Sequence, residues 1–186
     1  MRLFVAFEIP FEIRAQITSL INELRPVVPG AKWVRPENLH LTLKFIGETE
    51  TGAVEAIRGV LARVHMQAPL ELQFKGLGFF PTETKPRVLW MGVEGPPGLS
   101  QLAGEIETAL ETLGFPSEQR AFTPHLTLAR LEGKRLPDRA RSAIEKNRSR
   151  EFGTVCAAQF HLIESKLKSA GAEYTTVQTF SFATEC

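Results

Sequence analysis

Apolar residues occupy both faces of the segment Leu3 to Phe7, and Pro10 closes the run after Glu8. A β-branched and aromatic run of this length predicts a buried strand. From Phe11 to Arg25 the apolar positions Ile13, Ile17, Leu20, Ile21 and Leu24 recur at helical spacing, and Pro26, Pro29 and Gly30 end the helix. Lys32 to Arg35 reads as a short strand, Pro36-Glu37-Asn38 as a turn, and Leu39 to Ile46 as a second strand closed by Gly47. Val54, Ile57, Leu61 and Val64 mark an amphipathic helix from about Thr51 to Gln67. Strands over Leu70–Phe79 and Arg87–Glu94 follow, and Gly95-Pro96-Pro97-Gly98 makes a turn near the midpoint.

After that turn the pattern restarts. Leu99, Leu102, Ile106, Leu110 and Leu113 predict a third helix, followed by strands near Phe122–Leu131, Phe152–Ser165 and Tyr174–Phe182. A basic segment precedes the last two strands, where Ala140, Ala143 and Ile144 offer a narrow apolar face for a weak helix. The two halves share an order of elements, which fits duplication of one small α/β unit. The expectation is a single domain over residues 1–186, with two pseudo-symmetric lobes of about 1–95 and 98–186 and room for strands to be exchanged between them. Strands joined as often by hairpins as by helices predict largely antiparallel sheets.

Composition narrows the class. The 186 residues are 43% hydrophobic and 23% charged, as in ordinary soluble globular proteins. A net charge of +1 makes the whole molecule no basic nucleic-acid coat, so any polyanion must meet a local patch. Cys156 and Cys186 are too few for a disulfide framework, lie in no CxxC pair, and no polybasic run supports a lipid site at Cys186. No window approaches the roughly 18 apolar residues of a membrane span. The first apolar run is too short for a signal peptide. A cytoplasmic α/β protein is the expectation.

Candidate chemistry lies in the histidines. Of His40, His65, His125 and His161, two open the same tetrapeptide: His40-Leu41-Thr42-Leu43 and His125-Leu126-Thr127-Leu128, 85 positions apart. The chance that a given histidine precedes Leu-Thr-Leu is on the order of one in a thousand. In a strand, residues i and i+2 share a face. Each leucine pair therefore needs a core, while each histidine and threonine pair faces a groove. If the two units face each other, two imidazoles and two hydroxyls converge. Imidazole titrates near neutrality, so one ring can act as base while its protonated partner acts as acid. The hydroxyls would hold the oxygens of a phosphodiester. A two-histidine metal site is the rival, but neither motif supplies a carboxylate to complete it. His65 and His161 read as structural.

Paired His-x-Thr-x motifs on a duplicated scaffold resemble the two-histidine (2H) phosphoesterase superfamily. Residues Arg2–Phe7, Asn38–Gly47, Lys85–Trp90 and Pro124–Arg130 are similar to its RNA 2′,3′-cyclic phosphodiesterases, also called 2′-5′ RNA ligases. The resemblance implies an α+β, bilobal fold with two mainly antiparallel sheets lining a central cleft and helices outside. It implies hydrolysis of RNA terminal 2′,3′-cyclic phosphates, as on tRNA fragments, to 2′-phosphomonoesters by a monomer without metal or other cofactor, and in some members 2′-5′ joining. It gives His40 the proton-donor role and His125 the acceptor role. The two identical motifs assign neither.

Binding residues are read less directly. Seven Lys and Arg against Asp138 and Glu145 crowd the segment from Gly133 to Arg150, directly after the second motif, where they would contact an RNA backbone. Arg130, three residues beyond Thr127, is a phosphate candidate with Thr42 and Thr127, although strand alternation puts it opposite His125 unless the strand bulges. Phe7, Phe45, Phe79, Phe80, Trp90 and Tyr174 are candidates to stack a base, most of them better suited to a core. An RNA-binding module without turnover and a phosphoesterase for a small cyclic-phosphate nucleotide are the alternatives.

Overall fold

The computed structural model describes residues 1–169 and 171–184. The described residues form nine strands and four α-helices: β1 (Arg2–Glu8), α1 (Phe11–Leu24), β2 (Lys32–Trp33), β3 (His40–Glu48), α2 (Val54–Leu61), β4 (Leu70–Phe80), β5 (Val88–Glu94), α3 (Pro97–Glu111), β6 (His125–Arg130), α4 (Asp138–Lys146), β7 (Glu151–Ala157), β8 (Gln159–Lys168) and β9 (Gly171–Ser181). One sheet has the order β3-β1-β8-β9, the other β2-β6-β5-β4-β7. All seven ladders are antiparallel. The α+β class and antiparallel sheets expected from the sequence are therefore present. Each sheet takes strands from both halves of the chain.

One core joins the sheets to the helices. Leu3, Val5 and Phe7 of β1 meet Ile13, Ile17 and Leu20 of α1, and the same cluster includes Ile57 of α2, Ile106 of α3 and Ile144 of α4. On the other face of β1, Phe4 and Ala6 form a small cluster with Ile163 and Tyr174. That second face explains why β1 is apolar throughout instead of alternating: it is an inner strand covered on both sides. The basic segment does form a helix, α4, anchored by buried Ala140 and Ile144.

Three expectations change. The strand foreseen from Phe152 to Ser165 is two strands, broken at Ala158, because β7 pairs with β4 in one sheet while β8 pairs with β1 in the other. α2 stops at Leu61, short of Gln67. The carbonyls of Met66 and Gln67 accept instead from Ala183 N–H and the Thr184 hydroxyl, which ties this stretch to the end of the chain's last strand. Cys156 is disulfide-bonded, an amendment to the reading of the cysteines; Cys186, read above as carrying no lipid site, lies outside the described residues. Among the described residues no helix is long and apolar enough to cross a membrane.

Candidate active site

The two tetrapeptides open β3 and β6, the strands at which the sheets approach each other. Leu41, Leu43, Leu126 and Leu128 are buried in the main core. His40, Thr42, His125 and Thr127 all line a single cleft of about 720 Å³ between the sheets. The i, i+2 alternation thus puts the apolar pair of each motif inward and the polar pair into the cleft.

The imidazoles are held alike. His40 Nδ1 lies 2.7 Å from the Asn38 carbonyl, and His125 Nδ1 lies 2.7 Å from the Thr123 carbonyl. A carbonyl can only accept, so Nδ1 carries the proton on both rings. Nε2 is left as the basic atom of the neutral ring and the acidic atom of the charged one. Aromatic rings fix each plane: Phe4 and Tyr174 lie 4.6 and 5.2 Å from His40, and Phe80 lies 5.0 Å from His125. Trp90, 6.5 Å from His125, lies flat over Gly78, where a Cβ would come within 2.1 Å of the indole.

The environments differ in depth. Burial holds the His40 pKa below the ordinary histidine value, opposed by its bond to Asn38 and reinforced by the charge of His125. Tyr174 is pushed up by burial, against the pull of Arg130 and Arg2.

Both motif strands bulge at the same place. Opposite β1 the register skips Leu43, and opposite β5 it skips Leu128. Each bulge reverses the alternation, so the next residue, Lys44 or Ala129, is buried, and the one after, Phe45 or Arg130, returns to the cleft. This places Arg130 on the same side as His125. Simple alternation would have turned it away.

A profile of the 2′-5′ RNA ligase superfamily matches residues 9–167. The chain belongs to this superfamily, a branch of the 2H phosphoesterases. It is 37% identical over 180 residues to the RNA 2′,3′-cyclic phosphodiesterase of Archaeoglobus fulgidus, covering 97% of this chain and 99% of that one. Among solved structures it is similar to TT0787 of Thermus thermophilus (TM-score 0.82, 32% identity, all of both chains) and to Escherichia coli LigT complexed with 3′-AMP (TM-score 0.80, 28% identity, 98% of each chain).

Other readings sort themselves around this 2H site. The basic segment 133–150 contributes nothing to the cleft lining. Four of its seven cations pair with acids: Lys134 with Glu132, Arg141 with Asp138, Arg148 with Glu83 and Glu145, and Arg150 with Glu23. The segment borders a separate cavity of about 620 Å³ over α4. The segment expected to contact an RNA backbone therefore lies outside the cleft that holds the two histidines. Besides Arg130, the basic residues that line the cleft are Arg2, Lys32, Arg35 and Lys166, drawn from three segments distant in sequence. Phe7 is core, Phe79 borders the α4 cavity, and Phe45 and Tyr174 line the cleft, with Phe45 65% exposed. His161 is 4% exposed and bonded to Thr179, while His65 lies exposed beyond α2. Among the described residues no three His, Cys, Asp or Glu are grouped to hold a metal ion.

Proposed function

We propose that this protein hydrolyses 2′,3′-cyclic phosphates at RNA ends to 2′-phosphomonoesters, with His40 as proton donor and His125 as acceptor. The carrying observation is the matched pair of imidazoles, each with Nδ1 tied to a carbonyl and Nε2 left for proton transfer. In this reading His125 Nε2 takes a proton from water as its oxygen attacks phosphorus. The bond from phosphorus to the 3′-oxygen breaks, His40 Nε2 protonates that oxygen, and the phosphate stays on the 2′-oxygen. Thr42, Thr127 and Arg130 hold the non-bridging oxygens. A 5′-hydroxyl in place of water would give a 2′-5′ linkage. We read residues 1–186 as one domain of two lobes, acting as a cytoplasmic monomer on ends such as those of tRNA fragments. The test is incubation with a short RNA ending in a 2′,3′-cyclic phosphate, followed by location of the product phosphate. A 3′-phosphate, or no turnover, sinks the reading.

Two further results are expected. Full activity survives EDTA, since imidazoles and hydroxyls supply the chemistry; loss on chelation restored by one divalent ion would favour metal-bound water. The profile of kcat/KM against pH is bell-shaped, with one apparent pKa below the ordinary histidine value of about 6.5. The sign follows from burial, which disfavours imidazolium at His40 in the free enzyme. The corresponding break in kcat lies higher, because bound phosphate supplies the missing counter-charge. A profile with both breaks at or above the ordinary value would contradict this.

A further inference from the structure

Resting on the reading above, we infer that Lys32, with Arg2 across the cleft, binds the phosphate on the 5′ side of the terminal nucleoside, so that the substrate is a strand and not a lone cyclic nucleotide. Lys32 and Arg130 are direct register partners across the β2–β6 ladder. Such partners carry side chains on one face with Cβ atoms about 5 Å apart, and like charges placed there destabilise the sheet. Both residues line the cleft.

Among the described residues no acid neutralises them: neither Lys32 nor Arg130 has a carboxylate within ion-pair distance. The acid nearest in sequence to Arg130, Glu132, is engaged by Lys134 at 2.9 Å, although it also feels Lys32. Arg2 adds a third cation from the opposite sheet; its charge and that of Arg130 both reach the Tyr174 hydroxyl. On β3 the position facing Arg2 holds Glu48, with which it makes no ion pair. Three cations lining one cleft, two of them on one ladder rung, cost stability, and a polyanion removes that cost. One phosphate cannot use all of them. The terminal cyclic phosphate sits at the histidines within reach of Arg130, and the long Lys32 side chain, splayed from the same ladder rung, reaches the next phosphate along a strand.

The experiment compares three substrates on wild type: adenosine 2′,3′-cyclic phosphate, the same nucleotide carrying a 5′-phosphate, and the dinucleotide ApA ending in a 2′,3′-cyclic phosphate. The second and third are expected to exceed the first in kcat/KM by about tenfold, the worth of one charge-assisted contact. Lys32→Ala removes most of that preference and flattens the dependence of log kcat/KM on log salt by somewhat under one unit. Lys32→Arg retains the preference, which a merely structural role for Lys32 would not require. Lys146→Ala, over the α4 cavity, leaves all three rates as they were. Equal kcat/KM for all three substrates, or a preference untouched in Lys32→Ala, overturns the inference while leaving the proposed activity standing. No turnover of any of them overturns both.

Discussion

Replacing either motif histidine with alanine is expected to lower kcat/KM by roughly 10²- to 10⁴-fold, because each ring performs one of two proton transfers. Both side chains are only part-buried, and among the described residues each has a single polar partner, the carbonyl two residues back. Truncation therefore leaves no buried charge, and both variants should fold with near-wild-type unfolding midpoints. Thr42→Ala and Thr127→Ala should cost less than either histidine, since a hydroxyl orients the phosphate without carrying its proton. The surviving rates also assign roles. Loss of the acceptor removes the acidic limb of the pH profile, and loss of the donor removes the alkaline limb. Under the proposed roles His125→Ala does the first and His40→Ala the second. The reverse pairing would exchange the roles, while a variant close to the wild-type rate would remove that histidine from the mechanism.

The reach of the sequence stops at identifiable physical points. His40 and Thr42 could be placed on one face because the period of a strand is two, and the leucines between them announce which face is core. Arg130 could not be placed in this way. Its position depends on a bulge at Leu128, and no glycine or proline marks it. The break at Ala158 is silent for a similar reason: Ala157 and Ala158 are small enough to turn a corner between sheets, yet an alanine pair also suits an unbroken strand. The basic run at 133–150 lies outside the cleft lining, which its density could not show. Local charge says how a segment meets solvent, whereas the side of the molecule it occupies is set by where Ala140 and Ile144 dock. The cleft cations Arg2 and Lys32 were missed because they converge only through pairing of strands remote in sequence. A resemblance spanning nearly the whole chain implied two sheets lining the cleft, whereas periodicity gave convergence only if the two units face each other.

Lys44 is the other residue that its surroundings disguised, and it carries the second large effect. In sequence it follows the first motif as a lysine on a strand, a type almost never buried unless paired. The bulge at Leu43 turns it inward, to 7% exposure, at the position that Ala129 fills in β6. There its ammonium donates to Glu107 Oε2 of α3 at 2.6 Å and to the Pro116 carbonyl at 2.7 Å, while Glu118 N–H donates to the same carboxylate oxygen at 3.2 Å. One ion pair thus fastens the strand carrying His40 to the segment that runs from α3 into His125. Lys44→Met keeps the volume but strands a carboxylate that is only 21% exposed. Breaking a buried pair from one side costs several kcal/mol, and the partial exposure of Glu107 brings the expectation to about 2–3 kcal/mol. That is visible as a lower denaturant midpoint at unchanged slope. The double variant Lys44→Met with Glu107→Leu should recover most of the loss, because apolar packing replaces both charges. Its kcat/KM should nonetheless stay below wild type, since the Pro116 and Glu118 contacts that position the approach to His125 are gone. A double variant no more stable than Lys44→Met would mean that the ammonium serves the Pro116 carbonyl and that its pairing with Glu107 contributes little.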